Sequence, residues 1–245
     1  MKTNIKVAVC QLPEVRENTD GALSWMEQYA ERAGTEGARL VCFPECFLQG
    51  YLLQEELAWR NAIDLASAAF RALLGRFAQA KPAIVFGMIE ADAGSLFNTA
   101  VVIEEGQLIG SYRKIHLLPG ERIFRPGTSC PVFQAGGLKF GINICFDTQF
   151  PETAAAVAAQ GARLIVCPAN NMMRRDNAEK WKHRHNEIRA CRAKETGLWL
   201  ISSDVTGIRG DSVAFGPTCV INPDGCVVAQ VPLMEVGMAV AKISN

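Results

Sequence analysis

Segments typical of strands and of helices alternate along most of this chain, and that alternation restricts the folds it can adopt. Near the N-terminus, the continuous apolar run KVAVCQL (6–12) is typical of a strand that is buried on both faces. Asn18, Thr19 and Asp20 are candidate N-cap residues, and Leu23, Met26 and Ala30 then recur at helical spacing. This order predicts an α/β protein in which helices cover buried strands.

The later segments continue the alternation and add hairpins. Further strands are predicted over 39–43, 83–90, 98–103, 108–112, 138–145, 163–167, 198–203, 215–221, 226–230 and 238–243, and further helices over 64–80, 151–160 and 176–195. Turn sequences at 104–107 and 222–225 favour antiparallel pairs, so mixed sheets are expected. No linker or low-complexity segment interrupts the pattern, and we expect residues 1–245 to form a single domain. On pattern alone, two facing sheets enclosed by helices are one of several possible α/β arrangements.

Charge and cysteine content narrow the class of protein. Lysine and arginine together number 25, as do aspartate and glutamate, so no nucleic-acid partner is expected. No apolar run reaches the ~18 residues of a membrane span, and no secretion signal is apparent, so no membrane partner is expected. Nine cysteines, an odd number, then indicate reduced thiols and a cytoplasmic location. His183 and His185 would not share a helix face, and we expect no metal site.

Three segments place a reactive side chain at the end of a predicted strand, where ligands of α/β sheets tend to bind. Glu45 follows a strand and Pro44 among apolar neighbours, which would raise a carboxyl pKa towards the range of a general base. Lys114 ends a hairpin strand, where a lysine can stabilise an oxyanion and favour a nearby thiolate. Taken singly, each residue is more often an exposed side chain at the end of a strand.

Cys145 is the third of these residues. It ends the strand predicted over 138–145, shortly before the helix that Pro151 begins. A cysteine in such a connection is open to substrate, and the backbone N–H of Phe146 could donate to an oxyanion. A lone cysteine is usually a buried, inert thiol, and Cys167 also ends a predicted strand. Local sequence therefore does not separate the two cysteines.

The three segments together carry a family resemblance. They read FPE (43–45), YRKIH (112–116) and INICFD (142–147). In this order and at these separations they resemble the Glu–Lys–Cys motifs of the nitrilase superfamily of carbon–nitrogen hydrolases. The resemblance covers essentially the whole chain, because it also includes KVAVCQL at the first strand, FNTAVVI (97–103) and FGPTCVINPDG (215–225).

The resemblance implies a fold and a chemistry. The fold is a four-layer α-β-β-α sandwich with two mixed β-sheets. In the chemistry, Glu45 is the base, Lys114 stabilises the oxyanion and Cys145 is the nucleophile that forms a thioester. The reaction is cleavage of a non-peptide C–N bond in a small aliphatic amide or N-carbamoyl amine, with release of ammonia or amine. The family's chemistry needs no cofactor, and its members usually assemble as homodimers or higher homo-oligomers.

Three other functions stay open at this point. A nitrilase would use the same residues to convert a nitrile to a carboxylic acid and ammonia. A metal-dependent phosphodiesterase could share the sandwich, but it needs several Asp, Glu, His and Asn ligands, and only three histidines are present. A catalytically silent member of the family is the third, and the intact Glu45, Lys114 and Cys145 speak against it.

Two further residues, Glu121 and Gln149, bear on the roles that the resemblance implies. Glu121 occupies the loop in which many members carry a second glutamate, which implies a supporting role beside Lys114 or the substrate. A surface carboxylate paired with Arg122 or Arg125 is nearly as well supported. Gln149 stands where similar members carry an arginine that could hold a carboxylate. Its presence weakens the case for an ω-amidase that prefers monoamides of dicarboxylic acids.

The substrate pocket is the least constrained part of the sequence. The loops 49–57, 116–124 and 170–175 are expected to line it. Asn170, Asn171 and Met172 follow a predicted strand and are candidate substrate contacts, although polar loop residues often only bond nearby backbone groups. The helix that carries Trp181 and Ile188, and the final strand, are candidate contacts between subunits.

Overall fold

The computed structural model describes residues 4–244. The helices are α1 (Thr19–Thr35), α2 (Glu55–Asn61), α3 (Ala68–Gly75), α4 (Pro151–Ala159), α5 (Arg175–Trp181) and α6 (Arg184–Thr196), and a 3-10 helix spans Cys145–Gln149. The strands are β1 (Asn4–Pro13), β2 (Leu40–Cys42), β3 (Ala83–Asp92), β4 (Ser95–Glu104), β5 (Gln107–Arg113), β6 (Val132–Ala135), β7 (Leu138–Ile142), β8 (Leu164–Pro168), β9 (Met173–Arg174), β10 (Trp199–Arg209), β11 (Ser212–Ala214), β12 (Cys219–Ile221), β13 (Val227–Gln230) and β14 (Gly237–Ser244). The alternation of strands and helices follows the sequence pattern.

The strands form two sheets that join along the ends of β1 and β10. In the first sheet the order is β5-β4-β3-β2-β1, and β14 pairs antiparallel with β1. In the second sheet the order is β10-β8-β7-β6, with β12 and β13 beyond β10. The join is the parallel pairing of residues 11–13 with residues 204–206. Both sheets contain parallel and antiparallel pairs, as the hairpin signals predicted.

Alternate residues of β1 explain why the two sheets stack. Val7 and Val9 point into the layer between the sheets and pack there with Phe140 of β7. Ala8 and Cys10 point to the opposite face and belong to the cluster that includes α1 and α3. This alternation follows from the two-residue period of a strand. On the outer face of the second sheet, α4 and α6 pack in the same way. The expected four-layer α-β-β-α sandwich is therefore confirmed.

The strand directions bring the candidate residues to one edge of the sandwich. Strands β3, β2, β1, β10, β8 and β7 run parallel to one another, and β5 returns to the same direction after the antiparallel β4. Glu45, Lys114, Cys145 and Asn170 each follow the C-terminal end of one of these strands by one to three residues. The carboxyl ends of parallel strands meet at a common edge, where ligands of α/β proteins tend to bind.

Several predicted elements have different bounds in the structure. The strand predicted over 138–145 ends at Ile142, and Cys145 begins the 3-10 helix. Of the helix predicted over 64–80, only α3 forms, and the helix predicted over 176–195 is divided into α5 and α6 near Lys182. Of the strand predicted over 215–221, only β12 forms, because Gly216 has a positive φ and Pro217 has no N–H to donate.

The short elements α2, β6, β9 and β11 were not predicted from the sequence. They range from two to seven residues, which is too short for a period of hydrophobicity to be read. Across residues 4–244, no helix combines the length and the apolar character that crossing a membrane requires.

Candidate active site

Glu45 lies in a tight turn directly after β2 and Pro44. Its side chain is buried, and Oε1 accepts hydrogen bonds from Lys114 Nζ at 2.7 Å and from Asn98 Nδ2 at 2.7 Å. Its other oxygen, Oε2, accepts the backbone N–H of Asn170 at 2.9 Å. The turn lies so close to β3 that a Cβ on Gly87 would come within 2.6 Å of the Glu45 Cα, so only glycine fits there. Burial raises the pKa of Glu45, and the Lys114 charge opposes that rise.

Lys114, which follows β5, is held between two carboxylates. Its ammonium donates to Glu45 Oε1 at 2.7 Å and to Glu121 Oε1 at 2.9 Å, and all three side chains are buried. Asn98 Nδ2 bridges the same two oxygens, at 2.7 Å and 3.0 Å. Burial alone would lower the pKa of Lys114, but the charges on Glu45, Cys145 and Glu121 raise it overall. The lysine is therefore a fixed cation that points at the carboxylates.

Glu121 is fully buried, so the alternative of a surface carboxylate paired with Arg122 or Arg125 is wrong. Its Oε2 accepts the backbone N–H of Leu118 at 2.6 Å, while Oε1 faces Lys114 and Asn98. The cluster thus contains two carboxylates and one ammonium. Asn98 supplies further N–H donors to the carboxylates without adding charge.

Cys145 occupies a strained turn at the start of the 3-10 helix. Its φ is +44°, a left-handed conformation that non-glycine residues rarely adopt and that often marks functional positions. The thiol is partly exposed, and Sγ lies 3.8 Å from the side-chain oxygen of Asn171. Burial and the Glu45 charge raise the pKa of Cys145, and the Lys114 charge lowers it only in part. The resting group is therefore a thiol that needs a base to become a nucleophile.

Asp147 anchors the turn that carries Cys145. One carboxylate oxygen, Oδ2, accepts the hydroxyl of Tyr112 at 2.8 Å and the backbone N–H of Ile144 at 3.0 Å. The other, Oδ1, accepts the backbone N–H of His116 at 2.8 Å, and the His116 ring nitrogen Nδ1 lies 3.1 Å away. This buried aspartate ties the loop after Lys114 to the turn at Cys145 and so fixes the two side chains relative to each other.

Asn171 connects Cys145 to a second buried ion pair. Its backbone N–H donates to Asp204 Oδ1 at 3.0 Å, and its side-chain NH₂ donates to Asp204 Oδ2. Because a carboxylate only accepts, this contact orients the amide and leaves the Asn171 oxygen facing the Cys145 thiol. Arg189 Nη2 lies 3.8 Å from Asp204 Oδ2, and both side chains are buried.

A cavity of about 210 Å³ opens at Cys145. Of the four predicted substrate contacts, Gln149 and Asn171 line it. Asn170 does not: it donates its backbone N–H to Glu45, and its side-chain oxygen accepts the N–H of Met172 at 3.2 Å. Met172 packs against the cluster beneath α1, and the next residue, Met173, lines the cavity instead. Neither Asn170 nor Met172 therefore lines this cavity.

The remaining walls come mainly from α5 and α6. Trp181, His185, Ile188 and Arg189 all line the cavity, whereas no residue of the predicted loop 49–57 does. Trp181 and Ile188, the candidate contacts between subunits, line the same cavity as Cys145. A helix face that is apolar in the sequence can cover a site as well as an interface, and spacing does not distinguish the two.

A family model described as carbon-nitrogen hydrolase matches residues 6–245 of the chain. The chain belongs to the carbon–nitrogen hydrolase family. A nitrilase of Pyrococcus abyssi is 33% identical over 244 residues, which are 98% of this chain and 89% of that protein. An omega-amidase of Homo sapiens is 28% identical over 246 residues, covering 93% of this chain and 84% of that protein.

A solved structure of an amidase from Nesterenkonia superimposes on this hydrolase with a TM-score of 0.83. It is 26% identical and matches 98% of this chain and 90% of that one. In a variant of that amidase, the acetamide moiety of fluoroacetamide is covalently added at the active-site cysteine. The resemblance to the nitrilase superfamily is confirmed, and with it the assignment of this hydrolase as an amidase-like enzyme.

Several site residues of this hydrolase were not singled out from its sequence. Asn98 lies in the segment FNTAVVI, which contributed to the resemblance but received no role. Asp204 follows a predicted buried strand, and Arg189 lies on the predicted helix over 176–195. A charged residue next to a long apolar strand is a usable signal for Asp204, whereas nothing local marks Arg189 among its charged neighbours.

Metal-binding groups do not converge in the part of this hydrolase that the structure describes. Within residues 4–244, no three His, Cys, Asp or Glu side chains are arranged to hold a metal ion. His185 lines the cavity, where burial lowers its pKa to about 3, while His183 is exposed. The buried polar groups at the site are instead organised around Lys114 and Arg189.

Proposed function

We propose that this enzyme hydrolyses small amides or N-carbamoyl amines through a thioester on Cys145, and releases ammonia or an amine. Glu45 is the general base and acid, and Lys114 with the Phe146 backbone N–H stabilises the oxyanion. The observation that carries the proposal is the buried Glu45–Lys114 pair at the carboxyl ends of the strands, electrostatically coupled to a thiol at the mouth of a cavity. The thiolate chemistry of such an arrangement suits acyl transfer.

The first half of the reaction forms the thioester. Glu45 takes the proton of the Cys145 thiol as the sulfur attacks the carbonyl carbon, and the C=O electron pair moves to the oxygen. Lys114 and the Phe146 N–H stabilise the resulting oxyanion. Glu45 then gives its proton to the amide nitrogen, the C–N bond breaks, and ammonia or an amine leaves. The raised pKa of Glu45 suits both transfers, because a more basic carboxylate takes the thiol proton more readily and can then return it to the leaving group.

The second half of the reaction consumes water. Glu45 takes a proton from a water molecule as its oxygen attacks the thioester carbon, and a second oxyanion forms in the same place. When that intermediate collapses, the C–S bond breaks, and the proton held by Glu45 returns to the sulfur. The carboxylic acid leaves, and the enzyme regains its thiol. No cofactor takes part in these steps.

Glu121 has a positioning role in this scheme. It holds the Lys114 ammonium at 2.9 Å and is itself held by the Leu118 N–H at 2.6 Å. Its charge also raises the pKa of Glu45, after the larger effects of burial and Lys114. Two carboxylates around one ammonium therefore keep Lys114 charged and Glu45 basic at the same time.

An amide fits this site better than a nitrile. The side-chain oxygen of Asn171 accepts the Cys145 thiol at 3.8 Å and can accept a second hydrogen bond. The NH₂ group of an amide can donate to that oxygen, whereas a nitrile nitrogen carries no hydrogen. The nitrilase reaction is the alternative proposal, and the name of the Pyrococcus abyssi relative supports it. The intact cluster of Glu45, Lys114 and Cys145 argues against a silent member of the family.

The test is ammonia release from a panel of amides, N-carbamoyl amines and nitriles by the wild type and by Cys145→Ala. We expect the variant to fold normally and to lose more than about 10³-fold in kcat/KM on the best substrate. Cys167→Ala is the matched control, because it removes another thiol at the end of a strand and should keep most of the activity. Substantial hydrolysis by Cys145→Ala would reject the mechanism, and nitriles as the only substrates would select the alternative.

The proposal extends to the assembly and location of the enzyme. We propose one hydrolase domain over residues 1–245, since the family model spans 6–245 and strand pairing links the two sheets. All nine cysteines are free thiols, which agrees with a reducing compartment such as the cytoplasm. We also propose a homodimer or higher homo-oligomer, which sedimentation at several concentrations would test.

A further inference from the structure

The cavity beside Cys145 has mostly apolar walls. Leu118, Phe146, Trp181 and Ile188 contribute apolar surface, and Gln149 and Asn171 are among the polar side chains that line the rest. We propose that this cavity is the acyl subsite and that it selects neutral primary amides with a short apolar acyl chain over amides that carry a carboxylate. This inference rests on the proposed amide hydrolysis and adds the chemistry of the acyl group to it.

The cavity offers no unpaired cation to a substrate carboxylate. Arg189 is the only arginine or lysine among the lining residues described, and its guanidinium is already engaged. Nη1 donates to the Pro217 carbonyl at 2.8 Å and to Asn186 Oδ1 at 3.1 Å, and Nη2 lies 3.8 Å from the Asp204 carboxylate. Asp204 is fully buried, so the two charges offset each other within the protein. A carboxylate that arrived there would have to displace these partners.

Among the described residues that line the cavity, the other titratable base is a neutral imidazole. Burial, with a smaller effect of the Arg189 charge, lowers the pKa of His185 to about 3, so the ring carries no charge at neutral pH. The His185 ring also lies beside the Trp181 ring in a tilted arrangement, with the ring centroids 5.6 Å apart, and so continues the aromatic wall. A ring in this state can contact an apolar chain, but it cannot neutralise an anion.

The fixed charges near the nucleophile also disfavour an anionic substrate. Glu45, Glu121 and Asp204 are buried carboxylates, whereas Lys114 and Arg189 are the buried cations that face them. Each of these buried cations therefore already faces a buried carboxylate before the substrate binds. A buried, unpaired carboxylate is among the most costly groups in a protein interior, so an uncompensated substrate anion would be rejected.

The volume of the cavity limits the size of the acyl group. Its volume of about 210 Å³ is below the ~300–1,000 Å³ of sites for drug-sized ligands. Gln149 is exposed at its mouth and contributes an uncharged amide. Short branched or cyclic acyl groups match this volume and the apolar walls.

The test compares two amides of equal length and equal numbers of non-hydrogen atoms, 4-methylpentanamide and succinamate. They differ in whether an isopropyl group or a carboxylate ends the chain. We expect kcat/KM of the wild type to be at least 100-fold higher for 4-methylpentanamide. Equal or faster hydrolysis of succinamate would overturn the inference and leave the proposed amidase function intact. Failure of the folded wild type to hydrolyse any amide would reject the proposed function, and the inference with it.

Two pairs of variants localise the effect. Gln149→Arg adds a cation at the mouth of the cavity. It should lower the ratio of kcat/KM for 4-methylpentanamide to kcat/KM for succinamate at least 10-fold, through faster succinamate hydrolysis. The neutral control Gln149→Met should leave that ratio unchanged. Ile188→Asn keeps the number of non-hydrogen atoms in the side chain but makes it polar, and should lower kcat/KM for 4-methylpentanamide about 10-fold through KM. Ile188→Val, which stays apolar, is its control. If the preference is the same in all four variants, the cavity is not the acyl subsite and the inference is wrong.

Discussion

Replacing Glu121 by glutamine should shift the acid limb of the pH–rate profile, because Glu121 and Glu45 share the same two donors. Glu45 Oε1 and Glu121 Oε1 each lie within 3.0 Å of both Lys114 Nζ and Asn98 Nδ2. Both carboxylates are buried, so water does little to screen their repulsion. That repulsion is one of the causes that raise the pKa of Glu45.

The size of the effect follows from Coulomb's law. Two oxygens that share these donors are at most about 6 Å apart, and at an effective dielectric constant of about 20 the repulsion is roughly 3 kcal/mol. This corresponds to about two pKa units. The glutamine also gives up an acceptor for Lys114, Asn98 or the Leu118 N–H, and this loss offsets part of the fall in the Glu45 pKa. We therefore expect the pKa of Glu45 to fall by roughly one to two units in Glu121→Gln.

The measurement is kcat/KM against pH for the wild type and Glu121→Gln. Glu45 must be deprotonated to act as the base, so activity rises with pH through its raised pKa. The variant should lose rate at its optimum, because Lys114 is less firmly held, and its acid limb should move to lower pH. Glu56→Gln, an exposed carboxylate on α2, is the control and should leave the limb in place. An acid limb that stays in place or moves to higher pH would refute the electrostatic account of the cluster.

Two further predictions test the groups around the nucleophile. Asp147→Asn replaces one carboxylate oxygen with an NH₂ group, so the side chain can no longer accept from Tyr112, Ile144 and His116 together. We expect a loss of roughly 2–4 kcal/mol of unfolding free energy, which differential scanning calorimetry would record as a lower Tm by about 5–15 °C. An unchanged Tm would contradict its anchoring role. Asn171→Leu removes the acceptor beside Sγ, so kcat/KM for an amide should fall roughly 10-fold more than for the corresponding methyl ester, which has no N–H. Equal losses on both substrates would show that Asn171 acts only through the structure.

The sequence was most informative where residues recur with a regular period. The strand KVAVCQL is apolar on both faces, and β1 is indeed buried between the opposite sheet and α1. The order of strands in the sheets did not follow from such periods. It depends on pairings between distant segments, such as residues 11–13 with residues 204–206, and no local pattern encodes them.

The candidate site was likewise predictable from the sequence only in part. Glu45, Lys114 and Cys145 were found through ordered motifs, and the structure brings the Glu45 and Lys114 side chains within 2.7 Å. The substrate pocket was predicted less well, because its walls come from α5 and α6, far along the chain from the motifs. A helix that turns an apolar face toward a cavity has the same sequence pattern as one that packs in a core. The break between α5 and α6 has no local signal, and it helps to direct Trp181 and Ile188 toward Cys145.

The most direct test of the central claim is the mass of the enzyme quenched by acid during turnover of its best amide. The account predicts that a fraction of the wild type gains the mass of the acyl group and that the added mass maps to the peptide containing Cys145. Glu45→Gln, which slows attack of water on the thioester, should raise the adduct fraction after prolonged incubation, and Cys145→Ala should show none. Turnover without any adduct on Cys145 in the wild type and Glu45→Gln, or an adduct on another cysteine, would contradict the account.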